Sequence, residues 1–212
     1  MGKSDSWLGK GSTESGEVAG YYDGWAKSYE ESVREWQYQA PQRSASLIRR
    51  YSEHSGPVYD AGCGTGLTGK ALRTEGFSTI IGTDISPESV AIAAKSGTYD
   101  SVTVLDLQTR PYPFPDSHFS AVNCIGVLTY IEDTRSLLQE FIRVTKDRGL
   151  VVFTHRDDII ESTDFYAIVD GIESDNRWEK VLVSDPQPYL PGNEDFADTI
   201  HVVYFVYRVT KG

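Results

Sequence analysis

Between Val18 and Trp36 the residues Tyr22, Trp25, Ala26, Tyr29, Val33 and Trp36 recur at spacings of three and four, the mark of an amphipathic helix. A second helix is expected after Pro41, because proline suits a first helical turn and Ala45, Leu47, Ile48 and Tyr51 supply an apolar face. Beyond Gly56-Pro57 short apolar runs alternate with helical stretches. Strands are expected over 58–60, 79–83, 102–105, 119–125 and 150–154, with helices over 67–74 and 90–95. Ser86-Pro87 supplies a capping side chain and a first-turn proline for the second of these helices. Asp133 caps a further helix whose inner face is Leu137, Leu138, Phe141, Ile142 and Val144.

This βαβ alternation predicts an α/β fold, a mainly parallel sheet with helices on both faces. The tail differs, since residues 178–183 and 200–209 are β-rich and separated by a Pro-rich stretch too short for a crossover helix. They are expected to form an antiparallel C-terminal hairpin on the sheet edge. Residues 1–20 are rich in Gly, Ser, Lys and Glu without periodicity, which predicts a disordered tail. Residues 21–212 then form one domain, with cap helices over about 21–55.

Composition narrows the partners. With 20 Lys and Arg against 31 Asp and Glu, the formal net charge is −11. Such a surface repels phosphate backbones and anionic membranes, so a small-molecule substrate is expected, with no nucleic acid and no membrane partner. No run approaches the roughly 20 apolar residues of a membrane span, and the first residues lack a signal-peptide apolar core. A cytoplasmic location follows as the expectation. Cys63 and Cys124 fall in different strand-end loops without a nearby His pair, so free thiols and no metal site are expected.

The stretch Val58-Tyr-Asp-Ala-Gly-Cys-Gly-Thr-Gly66 puts Asp60 ahead of three glycines at alternate positions, Gly62, Gly64 and Gly66. Open α/β sheets bind ligands at the carboxyl ends of their strands, and glycine there lets the chain turn sharply and a ligand lie against bare backbone. A dinucleotide fingerprint needs Gly-x-Gly-x-x-Gly, which this spacing is not. A carboxylate beside the helix start repels a pyrophosphate but orients the loop and favours an ammonium group. Asp84 ends the second strand, where an acidic side chain takes both ribose hydroxyls of an adenosine. Ile85 beside it covers an adenine face, and Asp106 accepts from the exocyclic amine. Three carboxylates at successive strand ends thus suit an adenosine with a cationic amino-acid tail.

These residues, with Gly82-Thr-Asp-Ile-Ser86 and Leu105-Asp-Leu107, closely resemble the class I S-adenosylmethionine-dependent methyltransferases over about 22–154. The resemblance implies a Rossmann-like seven-stranded sheet with a final antiparallel strand, and S-adenosyl-L-methionine as cofactor. It places Cys63, Leu107 and Ile125 in the cofactor site, and Tyr22-Asp-x-Trp25-Ala-x-x-Tyr29 in a helix whose Tyr22 and Tyr29 close over the methionine end. Trp25 is read as packing. The helix motif together with Arg143-Val-Thr-Lys146 and Tyr204-Phe-Val-Tyr207-Arg is similar to the Williams-Beuren region methyltransferase-like proteins.

The expected reaction is methyl transfer to an N, O or S atom of a small molecule, with a non-catalytic cofactor-binding or partner-regulating protein as the alternative. A nicotinamide oxidoreductase is disfavoured by the glycine spacing. An Asn/Asp-Pro-Pro-Tyr-type motif is absent at Asn123-Cys124, leaving a plain strand-end turn. His155 follows the fifth strand and is the catalytic candidate if the acceptor must lose a proton. Trp36, Tyr38 and Tyr189 are lone aromatics read as packing, with a substrate lid as the alternative.

Overall fold

The computed structural model describes residues 7–197 and 199–212. Helices α1 (Trp7–Lys10), α2 (Ser15–Glu35) and α3 (Ala40–Tyr51) precede the sheet. The alternating part runs β1 (Val58–Ala61), α4 (Leu67–Thr74), β2 (Ile80–Asp84), α5 (Pro87–Lys95), β3 (Ser101–Val104), β4 (Phe119–Cys124), α6 (Thr134–Val144) and β5 (Thr145–Arg156). Helices α7 (Asp157–Ser162) and α8 (Phe165–Ser174) then lead to β6 (Trp178–Val183), β7 (Gln187–Pro188) and β8 (His201–Val209).

The strands lie in the order β3-β2-β1-β4-β5-β8-β6, with β7 paired to β8. From β3 to β5 every pairing is parallel, and β8 runs antiparallel to both β5 and β6. The sheet has eight strands rather than seven because β8 is longer than its partner β6. Trp178–Val183 pairs along residues 205–209, and the free start of β8 takes Gln187–Pro188 as a short second partner. The order reverses between β1 and β4, which opens a crevice at their carboxyl ends.

Side-chain alternation along the central strands divides the core. Val151, Phe153, Phe205 and Tyr207 face α6 and α8, where Leu138, Phe141, Phe165 and Val169 cover them. Leu150, Val152 and Val206 point the other way, onto a layer formed with Ala45 and Ile48 of α3 and Leu72 of α4. Helix ends follow the expected chemistry, with the Ser86 hydroxyl accepting from Ser89 N and the Asp133 carboxylate from Ser136 N.

The N-terminal stretch departs from its composition. Residues 7–10 and 15–20 are helical, while residues 1–6 of the expected tail lie outside the described residues. Long-range contacts hold the segment: Trp7 stacks on Tyr21 at 4.0 Å and on Tyr130 at 5.4 Å, and Ser15 Oγ donates to Asp106 Oδ2 at 2.7 Å. Composition alone carries no signal of such contacts.

Phe153 is fully buried and stacks on Phe205 at 5.0 Å and on Trp178 at 6.4 Å. Phe153→Ala is expected to lower the unfolding free energy by about 3–5 kcal/mol in urea denaturation. A loss of less than about 1 kcal/mol would show that the aromatic layer collapses into the gap without cost.

Candidate functional site

Four strand ends build one cavity at the reversal in strand order. After β1 it is lined by Gly62, Gly64 and Thr65; after β2 by Asp84 and Ile85. Asp106, Leu107 and Gln108 line it beyond β3, and Ile125, Gly126 and Val127 beyond β4. Helix α2 closes the top with Ser15, Val18, Tyr22, Ala26 and Tyr29. No Lys, Arg or His is among these lining residues.

The glycine turn is shaped by its neighbours. Gly62, Gly64 and Gly66 all have positive φ, at 77°, 52° and 106°. A methyl group on Gly62 would stand 2.3 Å from Val127 Cγ2, whereas one on Gly64 would meet nothing within 4 Å. Gly62 therefore lets the β4 loop approach, and Gly64 leaves its backbone bare toward the cavity. Gly66 and Cys63 are not lining residues. Gly66 caps α4 in the left-handed conformation, and Cys63 is 4% exposed, with burial pushing its thiol up.

Asp84 fastens the turn to β2: Gly64 N donates to its Oδ2 at 2.8 Å and Ser86 N to its Oδ1 at 2.9 Å. Each carboxylate oxygen keeps acceptor capacity for a further donor. Asp106 accepts from Ser15 Oγ and, at 2.8 Å, from Gln108 N. Gln108 in turn donates to Thr13 O at 2.8 Å and to Ser15 Oγ at 3.1 Å.

Asp60 lies beneath the turn rather than in the cavity wall. It is 1% exposed and accepts from Tyr99 Oη at 2.7 Å and from Asn123 Nδ2 at 3.3 Å. Burial pushes its carboxyl up to about 6, against the opposing pull of those two hydrogen bonds. Tyr99 Oη also accepts from Gly69 N at 3.0 Å. Its ring fills space left by glycine, since methyl groups on Gly69 and Gly82 would stand 2.4 Å and 2.9 Å from it.

The cap helix is tied down on both sides of the cavity. Asp23 accepts from Ser86 Oγ at 2.6 Å, and Glu30 accepts from Lys70 Nζ at 2.9 Å and from Thr65 Oγ1 at 3.2 Å. Tyr22 Oη donates to Tyr130 Oη at 3.1 Å, joining the helix to the β4 loop.

The cavity thus gathers Tyr22, Tyr29, Gly62, Gly64, Asp84, Ile85, Asp106, Leu107 and Ile125 from the sequence expectations. It also adds Ser15, Thr65, Gln108 and Tyr130, for which no short motif exists. Asn123, expected as a plain strand-end residue, instead braces Asp60. His155 does not join them. It is 4% exposed and packs its ring 4.8 Å from Phe165, on the α8 side of the sheet.

A second, smaller chamber adjoins the first through Tyr22, Tyr29, Ile125 and Gly126. Its other walls include Trp25, Trp36, Tyr38 and Tyr189, three of them lone aromatics in the sequence. Trp25, expected to pack, does so against Tyr29 at 4.7 Å and Trp36 at 5.6 Å, and also faces this space.

Residues 59–153 match the family described as a methyltransferase domain. A human relative, methyltransferase-like protein 27, is 31% identical over 168 residues, which cover 76% of this chain and 68% of the relative. The chain belongs to the class I S-adenosylmethionine-dependent methyltransferase family. Its cofactor is S-adenosyl-L-methionine. The ubiquinone biosynthesis O-methyltransferase of Pectobacterium atrosepticum is 28% identical over 46% of this chain, but that match spans only 41% of the relative's length. Among solved structures, the geranyl diphosphate C-methyltransferase of Streptomyces coelicolor, in complex with S-adenosyl-L-homocysteine, superposes with a TM-score of 0.65 at 15% identity, covering 86% of this chain and 84% of that one.

The methyltransferase holds two buried groups with opposite acid responses. Burial pulls His155 down to about 4, so the ring is neutral at pH 7. In the unfolded chain it titrates near 6.5. Between about 6.5 and 4 the native state binds fewer protons than the unfolded one, so this group makes stability fall as pH falls. Asp60 acts the other way, because its raised pKa makes the native state bind more protons between about 4 and 6. Replacing His155→Leu removes the first effect and leaves the second. Relative to the variant, the wild type is expected to lose about 3 kcal/mol between pH 7 and pH 4 in parallel urea titrations. Parallel curves would show that His155 is protonated in the native state without cost.

Proposed function

We propose that the protein transfers the methyl group of S-adenosylmethionine to an N, O or S atom of a small molecule. The observation that carries this reading is the cavity itself: bare glycine backbone, the carboxylates of Asp84 and Asp106, apolar walls and no basic lining residue. That donor set fits a cationic adenosyl amino acid and not a pyrophosphate. When bound, the cofactor supplies an already activated methyl group on its sulfonium.

In this reading Asp84 takes the ribose hydroxyls with the acceptor capacity left by Gly64 and Ser86. Ile85 and Leu107 cover the adenine faces, and Asp106 accepts from the exocyclic amine. The backbone of Gly62 and Gly64 lies along the amino-acid tail, over which Tyr22 and Tyr29 close beside Ile125. Ring faces near a sulfonium contribute roughly 0.5–2 kcal/mol. Asp60 acts through the turn, which its bonds to Tyr99 and Asn123 hold in shape.

Orientation alone lowers a barrier by on the order of 7–11 kcal/mol. His155 lies outside both chambers, and nothing in its surroundings supports a proton-accepting role. A small molecule rather than nucleic acid is favoured by the net charge of −11. Among the described residues no helix is long and apolar enough to cross a membrane. A cytoplasmic site of action agrees with this reading.

Asp84→Ala is expected to abolish S-adenosylhomocysteine binding in titration calorimetry, while the far-ultraviolet circular dichroism spectrum stays native. Retained affinity would show that the ribose is held elsewhere. Heat from NADH at the wild-type site would instead return the cavity to a dinucleotide.

A further inference from the structure

The second chamber sets a condition on the methyl acceptor that the cofactor site does not. Its named aromatic walls are Tyr22, Trp25, Tyr29, Trp36, Tyr38 and Tyr189, completed by Val33, Leu8 and Leu190. No Asp, Glu, Lys, Arg or His lines it among the described side chains. A methyl group on Gly126 would stand 3.1 Å from Tyr38 Oη and 3.8 Å from Tyr189 Oη. Both hydroxyls therefore converge on the turn that also lines the cofactor cavity.

Three consequences follow. An anionic acceptor entering here would lose its hydration without a cationic partner in the wall, which is costly. A cationic acceptor has ring faces to meet it, but it would sit beside the like charge of the cofactor's sulfonium, with no carboxylate in the chamber wall to offset the repulsion. A neutral alcohol, phenol or thiol must give up a proton to become a strong nucleophile, and no ordinary base lines the chamber. The Tyr22, Tyr29, Tyr38 and Tyr189 hydroxyls stay protonated because burial raises each of them.

We propose that the acceptor is a neutral nitrogen base on a flat apolar body, an uncharged amine or aromatic ring nitrogen, recognised by this aromatic chamber. The inference rests on the cofactor reading above and narrows its acceptor. The nitrogen lone pair forms the new N–C bond as the methyl C–S bond breaks, and that electron pair stays on sulfur. Charge is conserved: the positive charge moves from sulfur to nitrogen and remains among aromatic faces. A protonated secondary or tertiary amine product then releases its proton to solvent, whereas a ring nitrogen keeps the charge. No enzyme base is needed before transfer.

The test uses probes of one shape: isoquinoline, 2-naphthol and 2-naphthoate. Calorimetry on the full chain saturated with S-adenosylhomocysteine is expected to show isoquinoline binding about tenfold or more tighter than 2-naphthoate. Trp36→Ala is expected to weaken isoquinoline about tenfold and to change S-adenosylhomocysteine affinity by less than about twofold. Tyr189→Ala serves as the second wall variant, with the same expectation. With labelled S-adenosylmethionine, isoquinoline is expected to gain a methyl group on nitrogen, and 2-naphthol to gain none. Tight binding of 2-naphthoate, methylation of 2-naphthol in preference to isoquinoline, or unaltered isoquinoline binding in both wall variants would overturn the proposal while leaving the cofactor reading in place. Absence of S-adenosylhomocysteine binding would instead remove the cofactor reading, and the proposal with it.

Discussion

The contact between Tyr99 and Asp60 is the constraint from which the site takes its form. A phenol lies against the glycine-rich face of the first βα unit, where Gly69 and Gly82 make room for its ring. It ties the buried carboxylate to the first turn of α4 through Gly69 N. Asn123 approaches the same carboxylate from β4, so one side chain links the strands on either side of the crevice. A half-satisfied carboxylate at this depth would be costly, and here each Asp60 oxygen accepts one hydrogen bond. The turn above it can then expose bare backbone at Gly64 without sagging into the space beneath.

A second set of contacts fixes the roof. Asp23, Glu30 and Ser15 anchor α2 to α5, to α4 and to the end of β3, at three separate places around the cavity. The Glu30–Lys70 pair is exposed and worth about 1 kcal/mol or less, while the bonds of Asp23 to Ser86 and of Ser15 to Asp106 are part-buried. The aromatic contacts of Tyr22 with Tyr130 and of Trp7 with Tyr21 supply the apolar share. The roof is therefore held by many modest interactions, in contrast to the floor, where Asp60 and Asn123 are fully buried.

Much of this was legible in the chain. The glycine turn, Asp84 and Asp106 announce themselves because strand-end chemistry is local in sequence, and each residue's role depends on the few positions beside it. The cap helix is visible through its periodicity, though its start at Ser15 is not, because the cap there is the carboxylate of Glu14, which accepts from Glu17 N in a polar stretch without apolar spacing. Helix α8 gives only a weak signal although Phe165, Val169 and Ile172 have helical spacing, since the run is short and flanked by polar residues. Tyr99 and Asn123 are illegible for another reason: one reaches Asp60 from the loop before β3 and the other from β4, and no spacing encodes such convergence. The catalytic expectation for His155 followed from its position after a strand. The strand's alternation sends that side chain to the face packed by α8 instead.

One helix, α2, forms a wall of both chambers through Tyr22 and Tyr29. Any outward swing of this shared partition unseals the two compartments at the same time. A displacement of these two rings alters the outline of both compartments together.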